Sequence, residues 1–297
     1  MDGAFVSGQS ALRERAALIE ELRQIVQAMK NIAFAELQRV THLLPEQTQA
    51  LKAVLDALQA LPGEEDLTGA AGRGSRAPVA WLVIGAERGF CGAFNDHLAS
   101  EVRTLQGQYQ ELRLLIAGQR LGDLLSIEPS DAIVMPGCAA IEDADAVLDQ
   151  WMAALAKEAP RCKEVWLLYS GEGTMVRGRL MPFSADLGQA PLRLRAHSTD
   201  APLHHLPLPA LRAALAHQGL RLLLQGGLFA SLKQEHRLRL AQMQRAQDHL
   251  EELSQSLRRR HALLRQTEIT NEQETLMSSL PGENGSAARS PLAPSSP

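Results

Sequence analysis

Residues 85–94, GAERGFCGAF, gather three glycines, one cysteine and one arginine into ten positions. They lie between an apolar run and a helix-like one, where glycine-rich loops bind phosphate through backbone N–H groups and a helix N-terminus. The detail departs from both phosphate patterns. A Walker A loop carries Lys and Ser or Thr after its last glycine, whereas Gly92 is followed by Ala93 and Phe94. Gly85, Gly89 and Gly92 also lack the spacing of the dinucleotide fingerprint. Tight turning and close helix packing account for the glycines, with nucleotide binding as the rival reading. Cys91 near a helix N-terminus is placed for a lowered thiol pKa. No histidine is tied to it by a catalytic pattern, and a small buried thiol is the commoner case.

Other chemistry-bearing residues are weaker. His197, His204 and His205 fall in a proline-containing segment without a cysteine or carboxylate pattern, so solvated loop histidines are expected and no metal site. Asp143 and Asp145 sit at a helix start, where carboxylates favour the dipole. Cys91, Cys138 and Cys162 are too scattered for a zinc site or a disulfide framework, which implies a reducing compartment. With 30 basic against 34 acidic residues, the formal charge of −4 does not point to nucleic acid. Charge matters locally, since Lys233–Arg265 holds eight Lys or Arg against four Asp or Glu. That bias fits a solvated face or a collar facing an acidic partner. No basic leader precedes an apolar run, and no stretch of about 18 apolar residues occurs, so a soluble or peripheral chain is expected.

The elements that must position these residues fall into three regions. In residues 10–60, Leu18, Leu22, Ile25, Met29 and Ile32 step as a coiled-coil seam. That register then meets Glu36 and Arg39, and a second stripe of Ala33, Leu37, Val40 and Leu44 takes over, so the apolar face drifts around the helix. Pro45 is expected to break or kink it. Residues 61–78 read as a linker. In residues 79–209, apolar runs at 79–85, 112–118, 132–135 and 164–170 alternate with helical spacing, which predicts a mostly parallel sheet covered on both faces. VRGRLMPFS is a candidate final strand, and 182–209 reads as irregular.

Residues 210–280 form a third region, with no proline from Leu211 to Ser279. Every seventh residue is Phe229, His236, Met243, Leu250, Leu257 and Leu264. Leu232, Ala246 and Leu253 form the other half of the seam, and Arg239 and Arg260 interrupt it. Gly226 and Gly227 are candidates for a bend, and 281–297 for a disordered tail. The fold class predicted is therefore α/β: a long antiparallel coiled coil of N- and C-terminal helices plus a Rossmann-like α/β domain.

Three stretches together resemble the gamma subunit of rotary F-type ATP synthases. QIVQAMKNIAFAEL keeps Ile25, Ala28, Met29, Lys30 and Ala33 of that family's first helix. ERGFCGAFND is similar to its Asp-Arg-Gly-Leu-Cys-Gly-Gly-Phe-Asn block at Arg88, Gly89, Cys91, Gly92, Phe94 and Asn95. The last helix matches at Ser231, Leu232, Glu235, Arg239, Met243 and Ala246, then at Arg265, Gln266, Ile269, Thr270 and Glu272. The matches occur in order over nearly the whole chain.

The resemblance implies a non-catalytic rotor of the central stalk, without cofactor or metal, one copy turning inside a hexamer of alternating alpha and beta subunits. Its foot meets the epsilon subunit and the ring of c subunits, and rotation couples proton or sodium flow to ATP synthesis or hydrolysis. By carry-over, Arg265, Gln266 and Thr270 touch loops of the catalytic subunits near the upper end. Met29 and Lys30 face the moving parts of the beta subunits, and Glu235 and Arg239 belong to the same coupling zone. Location is then peripheral, on the cytoplasmic face of a bacterial inner membrane. Gln27 for the usual Lys, Glu87 for Asp, Asp248 for Asn and an altered C-terminal end mark a divergent member, with an alternative N-type complex as one home for it. The competing readings are a coiled-coil scaffold and a Rossmann-like nucleotide-binding enzyme.

Overall fold

The computed structural model describes residues 2–61, 77–126, 132–181, 183 and 205–279, with backbone alone for 2–10 and 278–279. The linker apart from its ends, most of the irregular segment with His197 and His204, and the C-terminal tail lie outside the described residues. In chain order the elements are α1 (Asp2–Ala60), β1 (Val79–Ile84), α2 (Phe94–Gln108), β2 (Leu112–Ala117), α3 (Gln119–Leu125), β3 (Ala132–Met135), α4 (Ala144–Glu158), β4 (Glu164–Gly171), β5 (Thr174–Met181) and α5 (Leu208–Ser279). Two compact units are distinguished, one drawing on the described residues of Met1–Gln24 and Asp248–Pro297, the other on those of Ile25–Gln247.

In the Ile25–Gln247 unit, five strands form one sheet in the order β3-β2-β1-β4-β5. The first four are parallel, Val79 pairing with both Leu112 and Glu164, and β5 closes the edge antiparallel to β4. The strands read as apolar runs because both faces are covered. Trp81, Val83, Leu114 and Ile116 pack with Phe94, Leu98, Val102 and Leu105 of α2 on one face. Leu82, Ile84, Leu115 and Leu167 pack with Leu148, Trp151 and Leu155 of α4 and with Leu220, Leu224 and Leu228 of α5 on the other. The edge strand begins two residues before VRGRLMPFS and ends at Met181.

Helices α1 and α5 pair antiparallel in this unit, since as numbers rise on α1 their partners fall on α5. Gln27 Oε1 accepts from Gln247 Nε2 at 3.0 Å, Lys30 donates to Gln247 at 3.0 Å, Gln47 donates to the Leu222 backbone carbonyl, and the Leu61 backbone carbonyl accepts from Arg212 at 3.0 Å. The second apolar stripe forms this seam, and the first does not: Val40 is 0% exposed while Ile25 is 55% exposed. The reason is continuity. Val26, Ala33, Val40 and Val54 keep the seven-residue repeat, and its one polar member, Gln47, is satisfied by α5, whereas the Leu18 stripe runs into Glu36 and Arg39.

Pro45 does not break α1, which stays helical to Ala60. It lies on the exposed face, so water can satisfy the carbonyl it leaves unpaired. The interior-proline cost of about 3 kcal/mol is matched by burying Val40 and Leu58, at about 1.5–3 kcal/mol for each such side chain.

Gly226 and Gly227 lie inside continuous helix and serve close approach instead of a bend. A Cβ on the first meets the Gln47 amide at 2.9 Å, and one on the second meets Leu167 at 2.8 Å. On α5, Phe229, Leu232, His236, Arg239 and Met243 are all buried.

In the other unit, α1 and α5 segments also lie together, with an exposed Arg23–Glu251 ion pair at 3.9 Å. Leu250, Ser254, Leu257, His261 and Leu264 form the covered face of α5, stepping by four and three. Leu253 and Arg260 point to solvent, so Arg260 does not interrupt the seam.

Candidate functional site: the loop after β1 and its clamp

β1 is the strand from which the order reverses, β2 lying on one side and β4 on the other. The loop that leaves its C-terminal end, 85–93, therefore occupies the crevice where open α/β sheets hold ligands. Here the chain's own groups occupy it. Glu87 Oε2 accepts from the Gln119 N–H at 3.0 Å and the Gly137 N–H at 2.8 Å, which puts a carboxylate on the start of α3, where an anion would bind. Asn95 Oδ1 accepts from the Ala86 N–H at 3.0 Å.

Three glycines allow the loops after β1, β2 and β3 to stack. A Cβ on Gly137 lies 2.8 Å from Gly118 Cα, one on Gly118 lies 2.7 Å from the Gly85 carbonyl oxygen, and Gly118 has φ +118°. These contacts, and not phosphate binding, explain why glycine recurs. Gly89 differs, with open space around its Cα and no left-handed φ. Gly85→Ala, whose Cβ falls 2.5 Å from Leu121 Cβ, is expected to cost about 1–3 kcal/mol. Gly89→Ala should stay within about 0.5 kcal/mol. Urea midpoints followed by tryptophan fluorescence test the contrast; equal shifts refute it.

The loop is clamped by α5. Arg239 Nε donates to the Gly89 carbonyl at 3.3 Å, and Nη2 to the Arg88 carbonyl at 3.4 Å. The same guanidinium pairs with the Glu235 carboxylate and donates to His236 Nδ1 at 3.0 Å. Arginine can only donate, so His236 Nδ1 is the acceptor and Nε2 carries the proton. That Nε2 is buried and finds no hydrogen-bond partner among the described residues.

Glu235 is 4% exposed and His236 2%. Burial pushes the Glu235 carboxyl up to about 7, with Arg239 opposing. Burial and then the Arg239 charge hold His236 down to about 4. At the loop's tip Phe90 is 66% exposed and held at φ 62°, a left-handed conformation that is uncommon for a bulky residue.

Cys91 lies beneath this tip. Burial first, and then Glu235, raise its thiol pKa, the reverse of what a nucleophile needs. Cys138 is pushed up to about 12 by burial. Asp145 and Asp149 of α4 both pair with Arg221 of α5, so Asp145 also ties two elements together. Among the described residues no group of three or more His, Cys, Asp or Glu could hold a metal ion, and no helix is long and apolar enough to cross a membrane.

Arg88, Gly89 and Cys91 thus meet Glu235 and Arg239 in one cluster, with Gly92 at φ 59° and Phe94 and Asn95 anchoring the helix that follows. Glu235 and Arg239 face the chain's own interior. Met29 and Lys30 lie elsewhere in the same unit, Lys30 engaging Gln244 and Gln247. Arg265, Gln266 and Thr270, in the other unit, are exposed and line a groove of about 660 Å³ with Leu12 and Leu257. Sequence reasoning placed His236 in the seam without a polar role. Its signal was a titratable residue between Phe229 and Met243 in an otherwise apolar series. Phe90 and the bridging role of Glu87 had no signal.

A family model described as ATP synthase matches residues 9–278. The ATP synthase gamma chain of Flavobacterium psychrophilum is 24% identical over 279 residues, covering 88% of this chain and 93% of that one. The chain belongs to the ATP synthase gamma-chain family. The gamma chain of a Ruegeria species is 30% identical over 132 residues, 41% of this chain, and the match spans 45% of that relative's length. This family's fold recurs in solved structures. A chain of the Euglena gracilis mitochondrial ATP synthase, in an OSCP/F1/c-ring assembly, superposes with a TM-score of 0.60 at 15% identity, covering 92% of this chain and 94% of its own. A chain of the Tetrahymena thermophila central stalk and c-ring superposes with a TM-score of 0.51 at 17% identity, covering 75% and 99%.

Proposed function

We infer that the chain is the central-stalk rotor of a bacterial F-type ATP synthase or ATPase. It carries no catalysis of its own and couples proton or sodium flow to synthesis or hydrolysis of ATP in an alpha–beta hexamer. The supporting observation is the antiparallel pairing of its terminal helices in a chain that matches the family from residue 9 to 278. Its partners are then alpha and beta, one rotor per three of each, with epsilon and the c ring at the foot. Its place is the cytoplasmic face of the inner membrane.

The domain division we propose is a helix over 10–60, a linker over 61–78, an α/β domain over 79–209, a second helix over 210–280 and a tail. The exposed apolar residues Leu18 and Leu22, and Ile25 and Ile32, support a helix whose outer face meets a housing. Arg265, Gln266 and Thr270 touch the catalytic subunits at the upper end, and Met29 and Lys30 face the beta subunits. For Glu235 and Arg239, burial supports a positioning role in the coupling zone, exercised through the 88–91 loop.

Co-expression with the cognate alpha and beta subunits tests this reading. One copy is expected in an ATPase-active particle. In the holocomplex, Arg265→Ala with Gln266→Ala should lower ion pumping per ATP several-fold while particle mass is kept. Exclusion from the particle, or unchanged coupling in the variant, rejects the rotor assignment or the residue roles respectively.

A further inference from the structure

The clamp on the loop after β1 is built from titratable groups. Glu235 is enclosed from all sides. On its own helix stand His236 and Arg239; the β1–α2 loop brings Glu87, Arg88 and Cys91 over it; Cys138, after β3, feels its charge and that of Glu36 on α1. The loop reaches solvent through Phe90 and is joined to α5 by the two bonds from Arg239 to the carbonyls of Arg88 and Gly89. The left-handed Phe90 is a local cost that the closed loop must offset.

We propose that residues 88–90 form a proton-linked lid over Glu235, hinged between the anchored Glu87 and the buried Cys91, closed while the carboxyl holds its proton and loosened when the proton leaves. The sign follows from where the carboxylate can be hydrated. Closed, the loop keeps Glu235 from water, which favours the neutral acid; open, it admits water, which favours the anion. Protons therefore bind the closed state more tightly, and raising the pH shifts the population toward the open one. The carboxyl's position at about 7 puts the change in the neutral range. His236, held near 4, stays neutral there and does not contribute. Opening frees Phe90 from its held conformation, so the exposed aromatic at the tip is the output of the lid. The device is internal to the chain and holds whatever surface Phe90 meets.

Amide hydrogen exchange of the 85–94 segment, measured on the full chain from pH 6 to pH 8.5 and divided by intrinsic rates, tests it. Protection of residues 88–92 is expected to fall about tenfold or more across this range, while that of α2 and β1 stays constant. Glu235→Gln, nearly isosteric and always neutral, should keep the low-pH protection at every pH. Phe90→Gly relieves the left-handed cost without touching the titrating group, and should raise protection at all pH values with the slope retained. Flat protection in the wild-type chain, or an equal slope in Glu235→Gln, overturns the proposal.

Discussion

Arg239→Met is expected to destabilise the Ile25–Gln247 unit by about 3–5 kcal/mol at pH 8, the scale for removing one partner of a buried ion pair. The methionine fills part of the space but leaves the Arg88 and Gly89 carbonyls without their donor, His236 Nδ1 without its donor, and the Glu235 carboxylate without a counter-charge. Glu235 can escape part of the loss by taking up a proton, since its carboxyl already lies at about 7. The deficit should therefore shrink toward pH 6. Glu235→Leu combined with Arg239→Met removes both charges, and the double variant should be less impaired at pH 8 than the two single losses summed. Trp81, Trp151 and Trp166 all belong to this unit, so their fluorescence in urea reports it. Strict additivity of the two changes, or a deficit independent of pH, contradicts a coupled buried pair.

Much of this architecture was legible because it rests on periodicities that the sequence must display. Apolar strands covered on both faces, helical spacing between them and a proline-free C-terminal helix each have a direct physical signature. The misreadings share another cause, since each depended on a partner distant in sequence. Two apolar stripes compete on α1, and only the pairing with α5 reveals that the one through Ala33 and Val40 is inward. Gly226 and Gly227 resemble a bend until Gln47 and Leu167 are seen against them. Pro45 is tolerated because its face is exposed, which local propensity does not encode. The glycine-rich loop was legible as a tight turn, but the residues that fill it, Glu87 from within and Arg239 from about 150 positions away, are a tertiary fact. The resemblance implies that Glu235 and Arg239 belong to the coupling zone with the catalytic subunits. Their burial indicates that the same residues act first on their own chain.

His236 and Glu235 should impose opposite pH dependences on stability, and comparing variants separates them. A histidine held at about 4 in the folded chain against 6.5 when free binds its proton preferentially in the unfolded state. Its contribution is complete above pH 6.5 and is lost as the pH falls toward 4, by about 3 kcal/mol. Glu235 is raised from 4.5 to about 7, so its contribution is complete below pH 4.5 and is lost as the pH rises through 7, by a similar amount. Between pH 4.5 and 6.5 the two slopes cancel, since the folded state holds the Glu235 proton while the unfolded state holds the His236 one. A wild-type curve alone conceals both groups. His236→Asn keeps an acceptor for Arg239 and removes the titration; relative to wild type it should gain about 3 kcal/mol on going from pH 7 to pH 4. Glu235→Gln should gain a comparable amount on going from pH 4.5 to pH 8. Comparing each variant with wild type at the same pH removes the background that the two chains share. Parallel curves for His236→Asn would mean that the imidazole is hydrated in the folded chain and that its unpartnered Nε2 reaches water after all.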